Sequence, residues 1–137
     1  MTSRTARSRQ ILLVDDDEHI LRSLMMYLQA EGFEVVVALD GKEALQAVEV
    51  ARPDLVVLDV MMPELDGFGV LEKLKATAAT RAIPVIMLTA KGQDQDVMRG
   101  FNLGAQAYMS KPVNYAELVD NMLIIFEDEE MAITGHN

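Results

Sequence analysis

Residues 55–67 read LVVLDVMMPELDG, a short apolar run that ends in an aspartate and is followed by a turn. A run of four apolar residues at 55–58, without polar interruption, is typical of a strand buried on both faces. Asp59 follows the run directly, and Pro63 and Gly67 punctuate the segment after it. The stretch therefore predicts a buried strand whose end carries a carboxylate.

Four similar apolar runs occur elsewhere in the chain, at residues 11–14, 35–38, 85–88 and 107–109. The stretches between them carry apolar residues at intervals of three and four, the spacing of amphipathic helices. Strands of continuous apolar character that alternate with helices form parallel sheets covered on both faces. We therefore predict a doubly wound α/β domain of five strands and five helices.

The limits of the domain and of its helices follow from residue type. Residues 1–8 are polar and basic and predict a flexible tail, residues 9–126 form the domain, and residues 127–137 predict an acidic tail. Gly32 is placed to end the first helix and Asn114 to cap the fifth. The fourth helix is expected near residues 94–101.

Composition excludes several classes of protein. The 137 residues are 50% hydrophobic and contain no cysteine, so one core is expected, without disulfides or cysteine-bound zinc. Apolar runs such as residues 122–126 are far shorter than the roughly 20 residues of a membrane span, and the N-terminus has no apolar signal core. We expect a soluble cytoplasmic protein with no membrane insertion.

The formal net charge of −10 bears on partners. It repels phosphate backbones, so we expect no direct nucleic-acid binding beyond a weak contribution from Arg4, Arg7 and Arg9. Proteins are the expected partners.

Polar residues follow four of the predicted strands. Asp15, Asp16 and Asp17 follow the first strand, Asp59 the third, Thr89 the fourth and Lys111 the fifth. In doubly wound sheets the carboxyl ends of the strands meet at one edge, where ligands bind. We therefore expect these side chains to lie at one rim of the sheet.

The residue types at this rim indicate a chemistry. Crowded carboxylates raise each other's proton affinity, and a divalent cation relieves their repulsion. Oxygen ligands favour Mg²⁺, with Mn²⁺ as a substitute. A metal beside an ammonium and a hydroxyl suits a phosphoryl group, whose covalent acceptor is then a carboxylate or a hydroxyl.

The chain resembles the receiver domains of two-component response regulators over about residues 9–126. The similarity rests on motifs that are weak singly and highly specific in this order and spacing. They are Leu13-Val14-Asp15-Asp16, the block LDVMMPELDG at 58–67, Met87-Leu88-Thr89-Ala90, Leu103-Gly104-Ala105 and Tyr108-Met109-Ser110-Lys111-Pro112. The resemblance implies the flavodoxin-like strand order 2-1-3-4-5.

The resemblance also implies a phosphoacceptor and its metal ligands. Asp59 would receive a phosphoryl group from a histidine kinase or a histidine phosphotransfer protein. Asp16, Asp59 and the Met61 backbone carbonyl would bind Mg²⁺ directly, with Asp15 acting through a water. Three consecutive aspartates leave Asp16 and Asp17 as an alternative pair. Because the family places its pair directly after the strand, Asp15 and Asp16 are favoured, and Asp17 then begins the first helix.

Three further residues take roles from the resemblance. Lys111 would bind a phosphoryl oxygen, with a cis peptide bond to Pro112. Thr89 would move its hydroxyl onto the phosphoryl group, and Tyr108 would rotate into the space it leaves. The change would reach the face formed by the fourth helix, fifth strand and fifth helix, and so control a downstream protein target.

Two other functions that this fold class could carry are disfavoured. Aspartate-nucleophile phosphatases carry a second aspartate two residues after the first, where this chain has Met61. Flavodoxin-like electron carriers need a phosphate-binding loop after the first strand, where this chain has three aspartates that repel anions. We therefore expect a switch and not an enzyme. The only chemistry of this switch would be its own phosphorylation and dephosphorylation.

The output of the switch stays open at this point. A stand-alone regulator, a phosphorelay intermediate and a receiver from a larger regulator or hybrid kinase all fit. No Lys or Arg occurs from 114 to 126, which disfavours a dimer held by a basic residue on the fifth helix, and a monomer or weak dimer is expected. The apolar band of that helix is wide, so part of it is expected to meet a partner. Its members are Tyr115, Leu118, Val119, Met122, Leu123 and Ile125.

Overall fold

The computed structural model describes residues 9–90 and 94–134. All five predicted strands are present, and each is one or two residues longer than its apolar run. The strands are β1 Gln10–Val14, β2 Glu34–Ala38, β3 Leu55–Asp59, β4 Val85–Ala90 and β5 Ala107–Lys111. The helices are α1 Glu18–Ala30, α2 Gly41–Ala51, α3 Gly67–Ala76, α4 Asp94–Leu103 and α5 Tyr115–Thr134.

The five strands form one parallel sheet in the order β2-β1-β3-β4-β5. The predicted fold class and strand order are confirmed. The central strand β3 is buried along its whole length, as its uninterrupted apolar run predicts. Its last residue, Asp59, pairs with Leu88 of β4, so Thr89 lies one residue further along the neighbouring strand.

Two apolar clusters, one on each face of the sheet, form the core. Leu12 and Val14 of β1 pack with residues of α2 and α3, while Ile11 and Leu13 pack with residues of α1 and α5. Successive strand residues point to opposite faces, so a strand covered on both sides needs apolar residues at every position. This double covering explains why the strands read as continuous apolar runs.

Side-chain caps begin the helices. The Asp17 carboxylate accepts hydrogen bonds from the backbone N–H groups of His19 and Ile20 at the start of α1. Asn114 Oδ1 accepts from Glu117 N at 2.9 Å, which confirms Asn114 as the cap of α5. Gly32, with φ of 102°, follows the end of α1 in the left-handed conformation predicted for it.

The predicted acidic tail from residue 127 is wrong for residues 127–134, which continue α5 to Thr134. Arg9 supplies the physical reason, because its guanidinium lies 3.5 Å from Glu129, 3.1 Å from Glu130 and 4.5 Å from the centre of the Phe126 ring. These contacts offset part of the repulsion among the acidic residues of these turns. The predicted segments 1–8 and 135–137 lie outside the described residues.

The apolar band of α5 is largely used inside the domain. Leu118, Val119 and Met122 are buried, and the Tyr115 ring lies 5.3 Å from that of Tyr27 on α1. A partner for the remainder of the band stays a prediction. Across the described residues, no helix is both long and apolar enough to cross a membrane.

Candidate functional site

Side chains from the ends of β1, β3 and β5 meet at one rim of the sheet. Carboxylate oxygens of Asp15, Asp16 and Asp59 all lie within 4.8 Å of one another. Lys111 Nζ lies 2.9 Å from Asp59 Oδ1 and 3.1 Å from Asp15 Oδ2. The convergence predicted from the strand ends is therefore present for these four residues.

The three consecutive aspartates have different environments. Asp15 is buried, and its Oδ1 accepts a hydrogen bond from Asp17 N at 2.9 Å while its Oδ2 faces Lys111. Asp16 is exposed to solvent beside the other two carboxylates. Asp17 instead caps α1. The geometry groups Asp15 and Asp16 with Asp59, which is the pair that the resemblance favours.

Burial dominates the electrostatics of Asp59, which is only 2% exposed. The pKa of Asp59 is raised from 3.8 to about 6, mainly by burial and to a lesser extent by the charges of Asp15 and Asp16, while Lys111 opposes the shift. One ammonium thus does not offset the cost of holding this carboxylate charged. A cation beside Asp59 would lower that cost.

Lys111 is held in its charged form by the same cluster. Burial lowers the pKa of Lys111, but hydrogen bonds and charge attraction from Asp59 and Asp15 outweigh it, and the net shift is upward. The Lys111-Pro112 peptide bond is cis, as predicted. The ammonium is therefore a permanent positive charge next to Asp59 at neutral pH.

The backbone after Asp59 is tightly packed against α3. Val60 N donates to Leu88 O, and Gly67 N donates back to Val60 O, each at 2.9 Å. A Cβ on Gly67 would collide with the carbonyl oxygen of Asp59. Glycine is required here because the start of α3 lies against the backbone of Asp59.

Thr89 brings a buried hydroxyl to the same rim. The residue is 3% exposed, and its Oγ1 has no hydrogen-bond partner among the described residues. A buried hydroxyl without a partner is costly and therefore uncommon. The arrangement suits a hydroxyl that bonds to a ligand in another state of the protein.

Tyr108 lies over α4 and is half-buried. Its hydroxyl donates to the carbonyl oxygen of Asp96 at 2.6 Å, and its ring centre is 5.8 Å from that of Phe101. Burial, with the nearby charge of Asp96, raises the pKa of Tyr108 to about 12. The ring is thus fixed on α4, and the inward rotation expected from the resemblance stays a prediction.

The donor set at the rim fits a hard divalent cation. All three clustered side chains offer carboxylate oxygens, the ligands that Mg²⁺ prefers. The raised pKa of Asp59 shows that the charge of Lys111 does not offset the burial of this carboxylate and the repulsion from its neighbours. The role of the Met61 carbonyl as a ligand stays a prediction, and the Met61 side chain is 70% exposed.

Residues 11–123 match the family model for the response regulator receiver domain. The chain belongs to this family. It is therefore a receiver domain of the kind found in two-component systems, as the resemblance implied.

Known proteins support this assignment. The chain is 41% identical to the alkaline phosphatase synthesis transcriptional regulatory protein PhoP of Bacillus subtilis, covering 91% of this chain and 51% of PhoP. The receiver domain of a Francisella response regulator superposes with a TM-score of 0.82 at 31% identity, covering 89% of this chain and 99% of that one. Vibrio cholerae chemotaxis protein CheY4 gives a TM-score of 0.79 at 31% identity, covering 84% and 96%. The receiver domain spans about half the length of the curated relatives it matches.

Sequence reasoning missed the residues that hold Tyr108. Asp96 contributes only a backbone carbonyl, which no side-chain pattern reveals. Gly100 offers a signal, because a glycine in the interior of a helix needs a reason.

Proposed function

We propose that this receiver domain accepts a phosphoryl group on Asp59 from a phosphohistidine donor and changes conformation in response. The observation that carries the proposal is the cluster of Asp15, Asp16, Asp59 and Lys111 at one sheet rim. It combines a buried carboxylate, a fixed ammonium and the donor set of a metal site.

In the transfer step a carboxylate oxygen of Asp59 attacks phosphorus in line with the leaving group. The P–N bond of the donor breaks as the P–O bond to Asp59 forms, and the donor's imidazole leaves with the bonding electron pair. A bound Mg²⁺ would supply positive charge to the phosphoryl oxygens during transfer. Asp16, Asp59 and the Met61 carbonyl would hold it, with Asp15 acting through a water.

Lys111 and Thr89 act on the product. The Lys111 ammonium, 2.9 Å from Asp59 Oδ1, can pair with a phosphoryl oxygen with little movement. The unpartnered Thr89 hydroxyl gains a strong acceptor when it moves onto the phosphoryl group. Phosphorylation then favours the conformation in which Thr89 has moved, and Tyr108 leaves α4 for the vacated space.

The role we propose is that of a cytoplasmic switch and not an enzyme, with its own phosphorylation and dephosphorylation as its only chemistry. A histidine kinase or histidine phosphotransfer protein supplies the phosphoryl group. The face of α4, β5 and α5 meets a downstream protein. The net charge of −10 disfavours direct contact of this domain with nucleic acid.

Labelling with acetyl phosphate and Mg²⁺ tests the acceptor. The wild-type protein should gain one phosphoryl group by intact mass, and hydroxylamine should release it as expected for an acyl phosphate. Asp59→Asn should gain none, because it removes the nucleophile at nearly constant volume. Asp17→Asn is the matched control, since asparagine also caps helices and Asp17 lies outside the carboxylate cluster. Labelling of Asp59→Asn at the wild-type level would refute the proposal.

A further inference from the structure

We infer that Gly100 is a positioning residue that holds the Tyr108 ring against α4 and so sets the resting balance of the switch. The inference rests on the proposed function, because it assumes that Tyr108 leaves α4 on phosphorylation. Its evidence is the packing of one glycine against one ring.

Gly100 lies in the interior of α4, which runs from Asp94 to Leu103. Glycine in a helix interior lowers the folding equilibrium constant roughly twofold to fivefold relative to alanine. It is buried, so a larger side chain would need space that the fold does not leave. A requirement other than helix formation therefore acts at this position.

The requirement is space for the ring of Tyr108. A Cβ on Gly100 would lie 2.8 Å from both Cζ and the hydroxyl oxygen of Tyr108, and closer still to Cε2. The ring is held there by the hydrogen bond to the Asp96 carbonyl, one helical turn earlier on the same face as Gly100. Only glycine leaves space for the ring at this position on α4. We call this position the seat of Tyr108.

The helix also makes a contact with α3. The Arg99 guanidinium lies 4.3 Å from the centre of the Phe68 ring, and Phe68 is a buried residue of α3. The three atoms nearest to a Cβ at 100 all belong to the Tyr108 side chain, and a side chain can change rotamer without moving the helix, so the collision would be relieved mainly by movement of Tyr108.

The collision acts on one conformation only. Alanine at 100 penalises the ring seated on α4 and leaves a ring that has turned inward unaffected. Because populations follow differences between states, the substitution shifts Tyr108 out of its seat without phosphorylation. Gly100 thus holds the unphosphorylated domain in its resting state.

The test uses the full chain labelled with 3-fluorotyrosine and ¹⁹F NMR, with the Tyr108 signal assigned from Tyr108→Phe. Without phosphodonor, Gly100→Ala should move the Tyr108 signal toward its position in the acetyl phosphate-treated wild type. The ratio of unseated to seated ring should rise about fivefold or more. Asn102→Ala, at an exposed position of α4, is the control for helix propensity and should leave the signal in place.

Labelling rates with acetyl phosphate give the second readout. Gly100→Ala should be labelled faster than wild type. The substitution should also speed labelling in a Tyr108→Phe background, which keeps the ring. It should have no effect in a Tyr108→Ala background, where no ring remains to collide. If Gly100→Ala fails to fold, the double variant with Tyr108→Ala should fold, and failure of both overturns the inference. An unchanged ¹⁹F signal, or a rate change that persists without the ring, also overturns it.

Loss of labelling in the wild type would count against the proposed function and not against the seating of the ring, which the unphosphorylated NMR comparison measures by itself.

Discussion

The ammonium of Lys111 lies 2.9 Å from Oδ1 of Asp59, and this ion pair joins β5 to β3 across the intervening strand β4. The same ammonium is 3.1 Å from Asp15 at the end of β1. One side chain therefore links three strand ends, and a change at Asp59 is felt directly at the end of β5. Tyr108 lies on that strand, three residues before Lys111.

The first prediction concerns pH and the buried charge of Asp59. Its pKa is raised from 3.8 to about 6 in the folded protein, mainly by burial, so folding favours the protonated form. The contribution of protonated Asp59 to the free energy of unfolding is complete below about pH 4 and is lost as the pH rises through 6. In the absence of Mg²⁺, the Tm of Asp59→Asn should exceed that of wild type by an amount that grows between pH 4 and 7. A difference in Tm that stays constant over this range would contradict the assignment.

A second prediction concerns Mg²⁺ and Asp16. Asp16→Asn removes an exposed charge that repels Asp59, so it should raise the Tm of the metal-free protein slightly and largely abolish the increase that Mg²⁺ produces. For wild type, ligand at about 100 times Kd stabilises the fold by about 2.7 kcal/mol. Thermal melts with and without Mg²⁺ measure both effects, with Asp17→Asn as the control that keeps the Mg²⁺ response. An undiminished Mg²⁺ response in Asp16→Asn would remove it from the metal site.

The fold was predictable because its signals are local. A strand covered on both faces needs apolar residues at every position, and residues 11–14 and 55–58 show that requirement directly. The rim was predictable for a related reason, since the parallel sheet brings the ends of its strands together. Asp59 and Lys111 thus meet although they are far apart in sequence.

What could not be predicted depends on distant partners. The continuation of α5 past residue 126 rests on Arg9, which is 120 residues from Glu129 in sequence. The position of the Tyr108 ring depends on the Asp96 backbone carbonyl, which no side-chain pattern reveals, and on Gly100, whose place inside α4 is a signal that does not show which ring it accommodates. The raised pKa of Asp59 was foreseen only as repulsion between carboxylates, whereas burial is its main cause.

The third prediction concerns Lys111 itself. Lys111→Met leaves Asp59 and Asp15 buried without their cation, so it should destabilise the metal-free protein at pH 8. Because the Lys111 side chain is 28% exposed, the loss should be below the ~3–5 kcal/mol measured for fully buried pairs. At pH 5 the loss should shrink, because Asp59 is then largely protonated. Urea unfolding at the two pH values decides it, and an equal loss at both would show that the pairing with Asp59 contributes little.

The last prediction concerns the C-terminal turns of α5. Arg9→Ala removes the ion pairs to Glu129 and Glu130 and the guanidinium over Phe126, so residues 127–134 should fray while the sheet rim is unaffected. The expected loss of stability is about 1 kcal/mol, since partly exposed ion pairs and cation–π contacts each contribute only fractions of that. Hydrogen exchange should accelerate in the last two turns of α5 and not in β3. Arg9→Lys keeps the charge and should lose only the part due to ring stacking, whereas equal exchange in wild type and Arg9→Ala would mean that α5 holds its length unaided.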